Sequence, residues 1–241
     1  VLPDGLEIIG PDESSQYRPI FEGSRFSGSY NLPSNLKYYY GLPLPGMTGD
    51  IVIPQGVKEV VAQSHMGSTC TSLIMPEGVI MIGYRAFMES LLQGELQFPN
   101  SCRLIGMEAF AGTKITGVIL HDDISFIGDG AFSDTRISGR VILPQSLNSV
   151  SDRLFEGCSM IESIVIPDKV VSIDENAFAY CHNLKSVVCM AEEPPVLAEN
   201  AFEGVPRDNF TIEVPAGSVD KYKRAEGWRE FKRIAEYSDF V

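Results

Sequence analysis

The sequence predicts a solenoid of short parallel β-strands, and three regularities along the chain support this prediction. Strand-like segments recur at intervals of 22, 23, 22, 23 and 23 residues, starting at Ile51, Leu73, Leu96, Val118, Val141 and Ile164. Most of these segments end at a proline. An aromatic residue follows that proline, or His121 in its place, after 11 residues in five cases. A period of roughly 20 to 50 residues is typical of stacked-repeat architectures. Each repeat is therefore one rung of the stack.

Each rung begins with a short strand. Triplets such as Ile51-Val52-Ile53 and Val141-Ile142-Leu143 are rich in β-branched residues, which favour strands. The proline behind each triplet has no N–H to continue the ladder, so the strand stops there. An apolar pair such as Val79 and Ile82 then gives the rung a second buried edge.

An aromatic column is the third regularity. Small-plus-aromatic pairs close the rungs at Ala86-Phe87, Ala109-Phe110, Ala131-Phe132, Leu154-Phe155, Ala177-Phe178 and Ala201-Phe202. A single rung cannot bury its own apolar edge, so neighbouring rungs stack with their strands about 4.8 Å apart. We therefore expect Phe110, Phe132, Phe155 and Phe178 to be buried in register. Departures from the pattern predict irregular rungs at Ser64-His65, His121 and Pro43-Leu44.

The pattern favours a single domain over residues 1–241. Residues 1–50 form irregular N-terminal rungs, because FSGSYNLPSNL from Phe26 aligns with ISGRVILPQSL from Ile137. Residues 51–210 carry the regular repeats of 22–24 residues, and residues 211–241 form a last strand and a helical cap. We expect Ser218 to N-cap the helix, and Trp228 follows that helix.

Composition excludes several classes of function. A formal charge of −13 and a pI near 4.6 oppose binding to nucleic acid or to anionic membrane surfaces. No run of apolar residues reaches the roughly 18 that predict a membrane span. The first residue is Val1 rather than Met, so we expect a processed chain or a piece of a longer one, with a removed export signal.

Several motifs together resemble the BspA-like leucine-rich repeat family of bacterial and protozoan surface proteins, and they cover nearly the whole chain. They are the I-x-I-P strands, the V-x-x-I-G turn as at Ile124–Gly128, the A-F-x-x-C element at Ala177–Cys181, the Pro194-Pro195 pair and the VPAGSVDKYK segment from Val214. The resemblance implies a leucine-rich repeat solenoid, a right-handed stack of parallel strands. It would have roughly nine to ten rungs, short helical or 3₁₀ turns, a β-dominated α/β character and a short helical C-terminal cap.

The resemblance also implies a function outside the cell. Members of the family act in adhesion to host proteins such as fibronectin and fibrinogen, or in contact between cells. We therefore expect a secreted or cell-surface recognition module that binds a protein or glycan partner, including host extracellular matrix protein. The chain would be anchored through lipid on a removed N-terminal segment. The alternative is a structural spacer within a longer surface protein. The family supplies no defined binding residue.

Catalytic, metal-binding and cofactor chemistry finds little support in the sequence. The three histidines, His65, His121 and His182, fall in different phases of the repeat and are not expected to converge. Cys181 and His182 are adjacent, but sequence neighbours usually point apart, and Asp122-Asp123 lacks the rest of a calcium cage. The prediction is therefore a protein that is not an enzyme and that has no cofactor.

The five cysteines suggest no disulfide framework. Cys158 and Cys181 share a phase in consecutive rungs, which would place them within bonding range. Buried free thiols are the preferred interpretation.

Strand alternation locates the candidate binding face. The first and third residues of each triplet point inward, so the middle residue faces outward. The middle residues proposed as the partner-binding face are Val52, Ile74, Gln97, Ile119, Ile142, Val165 and Val188, with Asn31 and Glu213 at the ends of the series. We expect Ile119 to Val188 to form a continuous apolar stripe across four rungs, and such patches often mark partner contacts. The alternatives are that β-branched residues merely favour strands, or that a flanking segment covers them.

Overall fold

The protein is described by a computed structural model, in which residues 8–9, 38–39, 49–208 and 210–237 are described. The chain forms many short strands and little helix. In chain order the strands are β1 (Ile8–Ile9), β2 (Tyr38–Tyr39), β3 (Asp50–Val52), β4 (Glu59–Val60), β5 (Ser72–Ile74), β6 (Met81–Ile82), β7 (Gln93–Gln97), β8 (Leu104–Ile105), β9 (Lys114–Ile119), β10 (Phe126–Ile127), β11 (Gly139–Ile142), β12 (Ser149–Val150), β13 (Ile161–Ile166), β14 (Ser172–Ile173), β15 (Ser186–Cys189), β16 (Val196–Leu197), β17 (Thr211–Val214) and β18 (Ile234–Glu236).

The strands alternate between two parallel ladders, so the predicted solenoid is confirmed, with about eight rungs from residue 49 onward. The first ladder contains the proline-terminated triplets, on the odd-numbered strands β3 to β17, and β18 adds to its end. The second ladder contains the two-residue strands of the second apolar edge, from β4 to β16, and β1 and β2 pair with its beginning. The second edge predicted from the sequence is therefore a hydrogen-bonded ladder of its own.

Both ladders are interrupted within the described residues. The first ladder breaks between β5 and β7 and between β9 and β11, and the second breaks between β10 and β12. The break between β10 and β12 has a local cause. In the preceding rungs a glycine N–H donates to the earlier rung, as Gly128 does to the Ile105 carbonyl at 2.8 Å. At Ser151 the side-chain hydroxyl donates to the Ile127 carbonyl instead, at 2.5 Å.

The glycine column of the second ladder permits close approach of neighbouring backbones. A Cβ on Gly106 would lie 2.7 Å from the carbonyl carbon of Gly83, and a Cβ on Gly128 would lie 2.6 Å from the nitrogen of Met107. No ordinary side chain fits at such distances, so these glycines are required by packing between rungs.

The segment of each rung that carries the periodic aromatic residue, such as residues 83–90, is called the aromatic turn. Its backbone also pairs between rungs: the Phe110 N–H donates to the Ala131 carbonyl at 2.9 Å, and the Phe155 N–H donates to the Ala177 carbonyl at 2.8 Å. Helix was expected in these turns, but in the described residues helix occurs only in the C-terminal cap. The reason is that residues such as Arg85 and Glu89 adopt positive φ angles of 52° and 56°, which end a right-handed helical turn.

The rings of the aromatic column form a continuous stack, hereafter the Phe ladder, which confirms the predicted core. All of its rings are buried, and successive centroids from Phe87 to Phe202 lie 5.2 to 6.2 Å apart with nearly parallel planes. Phe98, which directly follows β7, packs edge-on against Phe110 and Phe132. The ladder therefore links the interiors of consecutive rungs.

Two of the rungs expected to be irregular keep the repeat geometry. His65 occupies the Phe position and stacks on Phe87 with a centroid distance of 5.1 Å. At His121 the proline turn is retained, since the Ile124 N–H donates to the His121 carbonyl at 3.2 Å. These two turns are therefore regular, because the His65 ring stacks as a phenyl ring does and the turn at His121 needs only a backbone carbonyl. The first ladder does break after β9, next to His121. Pro43-Leu44 lies outside the described residues.

The C-terminal cap covers the apolar end of the last rung, as predicted. Helix α1 (Val219–Arg224) leads into a 3₁₀ helix over Trp228–Glu230 and then into β18. The buried Tyr222 hydroxyl donates to the Ala191 carbonyl at 2.8 Å, and the Trp228 indole Nε1 donates to the Pro195 carbonyl at 2.7 Å. Ser218 precedes α1 but makes no side-chain capping bond, because its backbone is already helical.

Candidate functional site

The outward side chains of the first ladder, hereafter the strand face, form the candidate site predicted from the sequence. Ile74, Ile119 and Ile142 are exposed by 52%, 47% and 54%. Gln97 is also exposed, and Val52 is half-buried. Asn31 lies outside the described residues. Part of the predicted face is therefore a solvent-accessible apolar surface.

The continuous stripe from Ile119 to Val188 was wrong in its second half. Val165 and Val188 expose only 4% and 6% of their surface. In the ladder Val165 pairs with Ile142 on one side and Val188 on the other, and Val188 pairs with Glu213. The two short valines thus lie between the longer Ile142 and Glu213 side chains. The accessible apolar part of the strand face ends at Ile142.

A second apolar patch, on the second ladder, was missed from the sequence. Met81, Leu104 and Phe126 are paired in register on successive rungs, and Ile80 lies beside Met81. Phe126 is 51% exposed, and Ile80 is also exposed. Phe126 lies between Ser125 and Ile127 in a two-residue strand, and such a strand is too short for alternation to reveal which side chain faces outward.

The aromatic turns carry a groove whose lining includes six carboxylates. It has a volume of about 390 Å³, and its acidic lining residues are Glu89, Glu108, Asp129, Asp134, Asp152 and Glu156. Burial, together with the charges of Asp152 and Asp174, raises the pKa of Asp129. Two arginines partly neutralise the groove: Arg85 pairs with Glu108, and Arg153 lies 3.6 Å from Glu156. Within the described residues no group of three or more His, Cys, Asp or Glu side chains is placed to hold a metal ion.

The residues considered for catalysis or metal binding lie apart. The Cys181 thiol is buried, donates to the Phe155 carbonyl at 3.3 Å and has a pKa raised by burial. The neighbouring His182 is exposed and its Nδ1 lies 3.2 Å from the Gly204 carbonyl. Asp122 accepts the Gln145 N–H at 3.2 Å, and Asp123 lies 3.3 Å from Arg103. These side chains therefore take part in contacts between rungs.

The cysteines are free, which confirms the preferred interpretation. Cys158 and Cys181 continue a column that earlier rungs fill with Thr113 and Thr135. The Thr135 hydroxyl donates to the Phe132 carbonyl at 2.9 Å, and the Cys158 thiol donates to the same carbonyl at 3.0 Å. Burial raises the pKa of Cys158 to about 11, so the thiol stays protonated at neutral pH.

Three solved structures resemble this fold at low sequence identity. A leucine-rich cell surface protein from Faecalibacterium prausnitzii A2-165 is 18% identical, covers 80% of this chain and 69% of its own, and has a TM-score of 0.42. A leucine-rich repeat protein from Bacteroides ovatus ATCC 8483 is 17% identical, with coverages of 78% and 59% and a TM-score of 0.32. The pneumococcal vaccine antigen PcpA is 13% identical, with coverages of 88% and 83% and a TM-score of 0.38.

Sequence comparisons give one family and no individual relative. No curated protein matches the sequence. None of the helices in the described part of the chain is long and apolar enough to cross a membrane. The profile of the BspA type leucine rich repeat region matches residues 48–138 and 103–222, with six copies of the repeat. These matches cover most of the rungs described above, and the chain therefore belongs to the BspA-type leucine-rich repeat family.

Proposed function

We propose that this chain is a non-enzymatic recognition module, displayed on the cell surface or secreted, that binds a protein partner through the strand face. The observation that carries the proposal is the half-exposure of Ile74, Ile119 and Ile142, which hold the same outward position on strands β5, β9 and β11. A solvated strand face ordinarily carries polar side chains. Exposed apolar residues on a soluble protein often mark a contact surface.

The composition of the strand face favours a protein over a glycan. Sugar rings are commonly held by exposed aromatic side chains together with polar groups. The described middle residues of the triplets include isoleucine, valine, glutamine and glutamate, but no aromatic residue. The exposed aromatic residues Tyr84, Phe126 and Tyr180 lie on the second ladder and the aromatic turns instead.

A capture experiment tests the proposal, with immobilised fibronectin and fibrinogen and a glycan array as probes. These proteins are ligands of the family, so they are the first candidates for this chain. The test variant is Ile119→Glu with Ile142→Glu. Its matched control is Val171→Glu with Val196→Glu, which places the same charges at exposed valines beside and on the second ladder. Both variants should remain folded, because the replaced side chains are already in contact with water.

The expected result is that the chain captures a protein and that the strand-face variant weakens capture at least tenfold, or about 1.4 kcal/mol. The control variant should bind like the parent. Equal capture by the strand-face variant would exclude this face as the site. Selective capture of glycans would contradict the choice of partner, and capture of nothing would favour the structural spacer.

A further inference from the structure

One position of the aromatic turns changes from apolar to acidic along the solenoid. It lies two residues after each strand of the second ladder from β6 to β16. In successive rungs it is filled by Tyr84, Met107, Asp129, Asp152, Glu175 and Glu199. Backbone bonds keep these rungs in register. The Gly130 N–H donates to the Asp152 carbonyl at 2.8 Å, and the Arg153 N–H donates to the Glu175 carbonyl at 2.9 Å. The last four members, from Asp129 to Glu199, are carboxylates on consecutive rungs, hereafter the acidic column.

Nearby cations leave the acidic column largely unpaired. Among the described residues, Asp129, Glu175 and Glu199 form no ion pair. Asp152 has only the neighbouring Arg153, at 3.9 Å. Burial and the charge of Asp152 raise the pKa of Asp129, so the carboxylates of the column act on one another. Like charges on neighbouring strands destabilise each other. A cationic partner would therefore be attracted to the column and would relieve this repulsion.

The apolar end of the same position adjoins the second apolar patch. Tyr84 and Met107 are both exposed. Phe126, which pairs in register with Leu104, is also exposed and lies three residues before Asp129. The surface thus has an apolar end on the earlier rungs and an acidic end from Asp129 onward. Exposed apolar residues next to charged ones are typical of a contact surface.

Charges on the first ladder are mixed instead. Lys114 lies on β9 and Arg140 on β11, and Lys185 pairs with Glu162 at 3.0 Å. Negative charge is thus concentrated on the acidic column, and complementary potentials determine which partner a surface prefers. Charge complementarity favours a basic partner here. It disfavours a second copy of this chain, whose formal net charge is −13.

We propose that this surface, which is separate from the strand face, docks a basic amphipathic helix of a partner protein. Apolar side chains of the helix would cover Tyr84, Met107 and Phe126, and its lysines or arginines would face the acidic column. Neighbouring side chains on one helix face lie about 5 to 6 Å apart, which is close to the spacing of about 4.8 Å between rungs. In an extended chain the side chains of one face repeat only about every 6.6 Å. The rungs from Tyr84 to Glu199 span about 24 Å, the length of about 16 helical residues.

Fluorescence anisotropy on the full chain tests the proposal, with labelled synthetic helical peptides of about 16 residues. The lysine peptide carries leucines on one half of a helix face and lysines on the other half of the same face. The glutamate peptide carries glutamates in place of the lysines. The lysine peptide should bind, and its binding should weaken as salt is added. The glutamate peptide should not bind.

The acidic column is tested with Glu175→Gln combined with Glu199→Gln, because both carboxylates are exposed. The matched control combines Glu95→Gln and Glu192→Gln, which removes two exposed carboxylates on and after strands of the first ladder. Both variants have the same net charge. The column variant should weaken binding of the lysine peptide about fivefold, as expected for the loss of two exposed ion pairs. The control should bind like the parent.

The apolar end is tested with Met107→Ala combined with Phe126→Ala, which should weaken binding at least about tenfold. Its matched control combines Ile119→Ala and Ile142→Ala, which truncates exposed side chains of the strand face. This control should bind the lysine peptide like the parent. The result is therefore separate from whether the strand face binds a partner of its own.

Three results would overturn the proposal directly: no binding of the lysine peptide, equal binding of the two peptides, or equal losses in the variants and their controls. Analytical ultracentrifugation gives a fourth. A dimer of the parent chain that is lost in the Met107→Ala, Phe126→Ala variant would assign this surface to a second copy and would contradict a basic partner.

Discussion

Replacing Phe155 with alanine should lower the free energy of unfolding by about 3 to 5 kcal/mol. Phe155 exposes none of its side chain, and its ring lies between Phe132 at 5.6 Å and Phe178 at 6.2 Å. Burial of a phenyl ring contributes roughly 1.5 to 3 kcal/mol, and each of the two stacked contacts adds about 0.5 to 1.5 kcal/mol. The cavity cannot collapse easily, because both neighbouring rungs are tied by backbone hydrogen bonds.

Urea denaturation of the parent and the variant, followed by circular dichroism, measures the effect. Phe126→Ala is the matched control, since it deletes the same ring from a position that is half exposed on the second ladder. The control should cost about 1 kcal/mol or less. A Phe155→Ala cost below about 1 kcal/mol, or an equal cost for the two variants, would refute the Phe ladder as the main element of the core.

Three further predictions concern the contacts between rungs, the cap and the acidic groove. Gly106→Ala should lower the free energy of unfolding by about 1 to 3 kcal/mol, because the new Cβ would lie 2.7 Å from the Gly83 carbonyl carbon. An unchanged urea unfolding curve would contradict the close approach of the two backbones. Trp228→Phe should lower the free energy of unfolding by about 1 to 3 kcal/mol, since it leaves the buried Pro195 carbonyl without the indole N–H that donates to it at 2.7 Å. A thermal melting temperature equal to the parent's would argue against this docking of the cap. Asp152→Asn should lower the pKa of Asp129 toward its usual range in a carboxyl NMR titration, because it removes one of the charges that raise it. Because this pKa is raised in the folded chain, the contribution of Asp129 to the stability of the fold is lost as the pH rises through it. An unshifted titration would show that the charge of Asp152 does not act on Asp129.

Much of the fold follows from the periodicity of the sequence. The 11-residue interval between Pro144 and Phe155 recurs between Pro167 and Phe178, and both phenylalanines lie in one stack. Such positions are predictable because each rung must bury the same edge against the next. The cap was predictable for a related reason, since Trp228 is a large apolar side chain placed after the last strand that the repeat predicts, although β18, which follows Trp228, was not predicted.

The candidate site was only partly predictable, because strand alternation tells which way a side chain points but not how much of it is exposed to solvent. Val165 and Ile142 hold equivalent positions in their triplets, yet only Ile142 is exposed, since the exposure of a valine depends on the length of its neighbours in the ladder. The break of the second ladder at Ser151 could likewise not be predicted from the sequence. It occurs where the Ser151 hydroxyl, rather than a backbone N–H, donates to the Ile127 carbonyl of the preceding rung. The patch around Phe126 required the register of the second ladder.

The most direct test of the stacked-rung architecture is residue-resolved amide hydrogen exchange along the Phe ladder at neutral pH. The amides of Phe87, Phe110, Phe132, Phe155 and Phe178 each donate to a carbonyl of the following rung, at 2.8, 2.9, 3.1, 2.8 and 2.9 Å. Stacked rungs should give strong protection at all of these amides, repeated every 22 or 23 residues. Rapid exchange at these amides, or protection without this period, would contradict it.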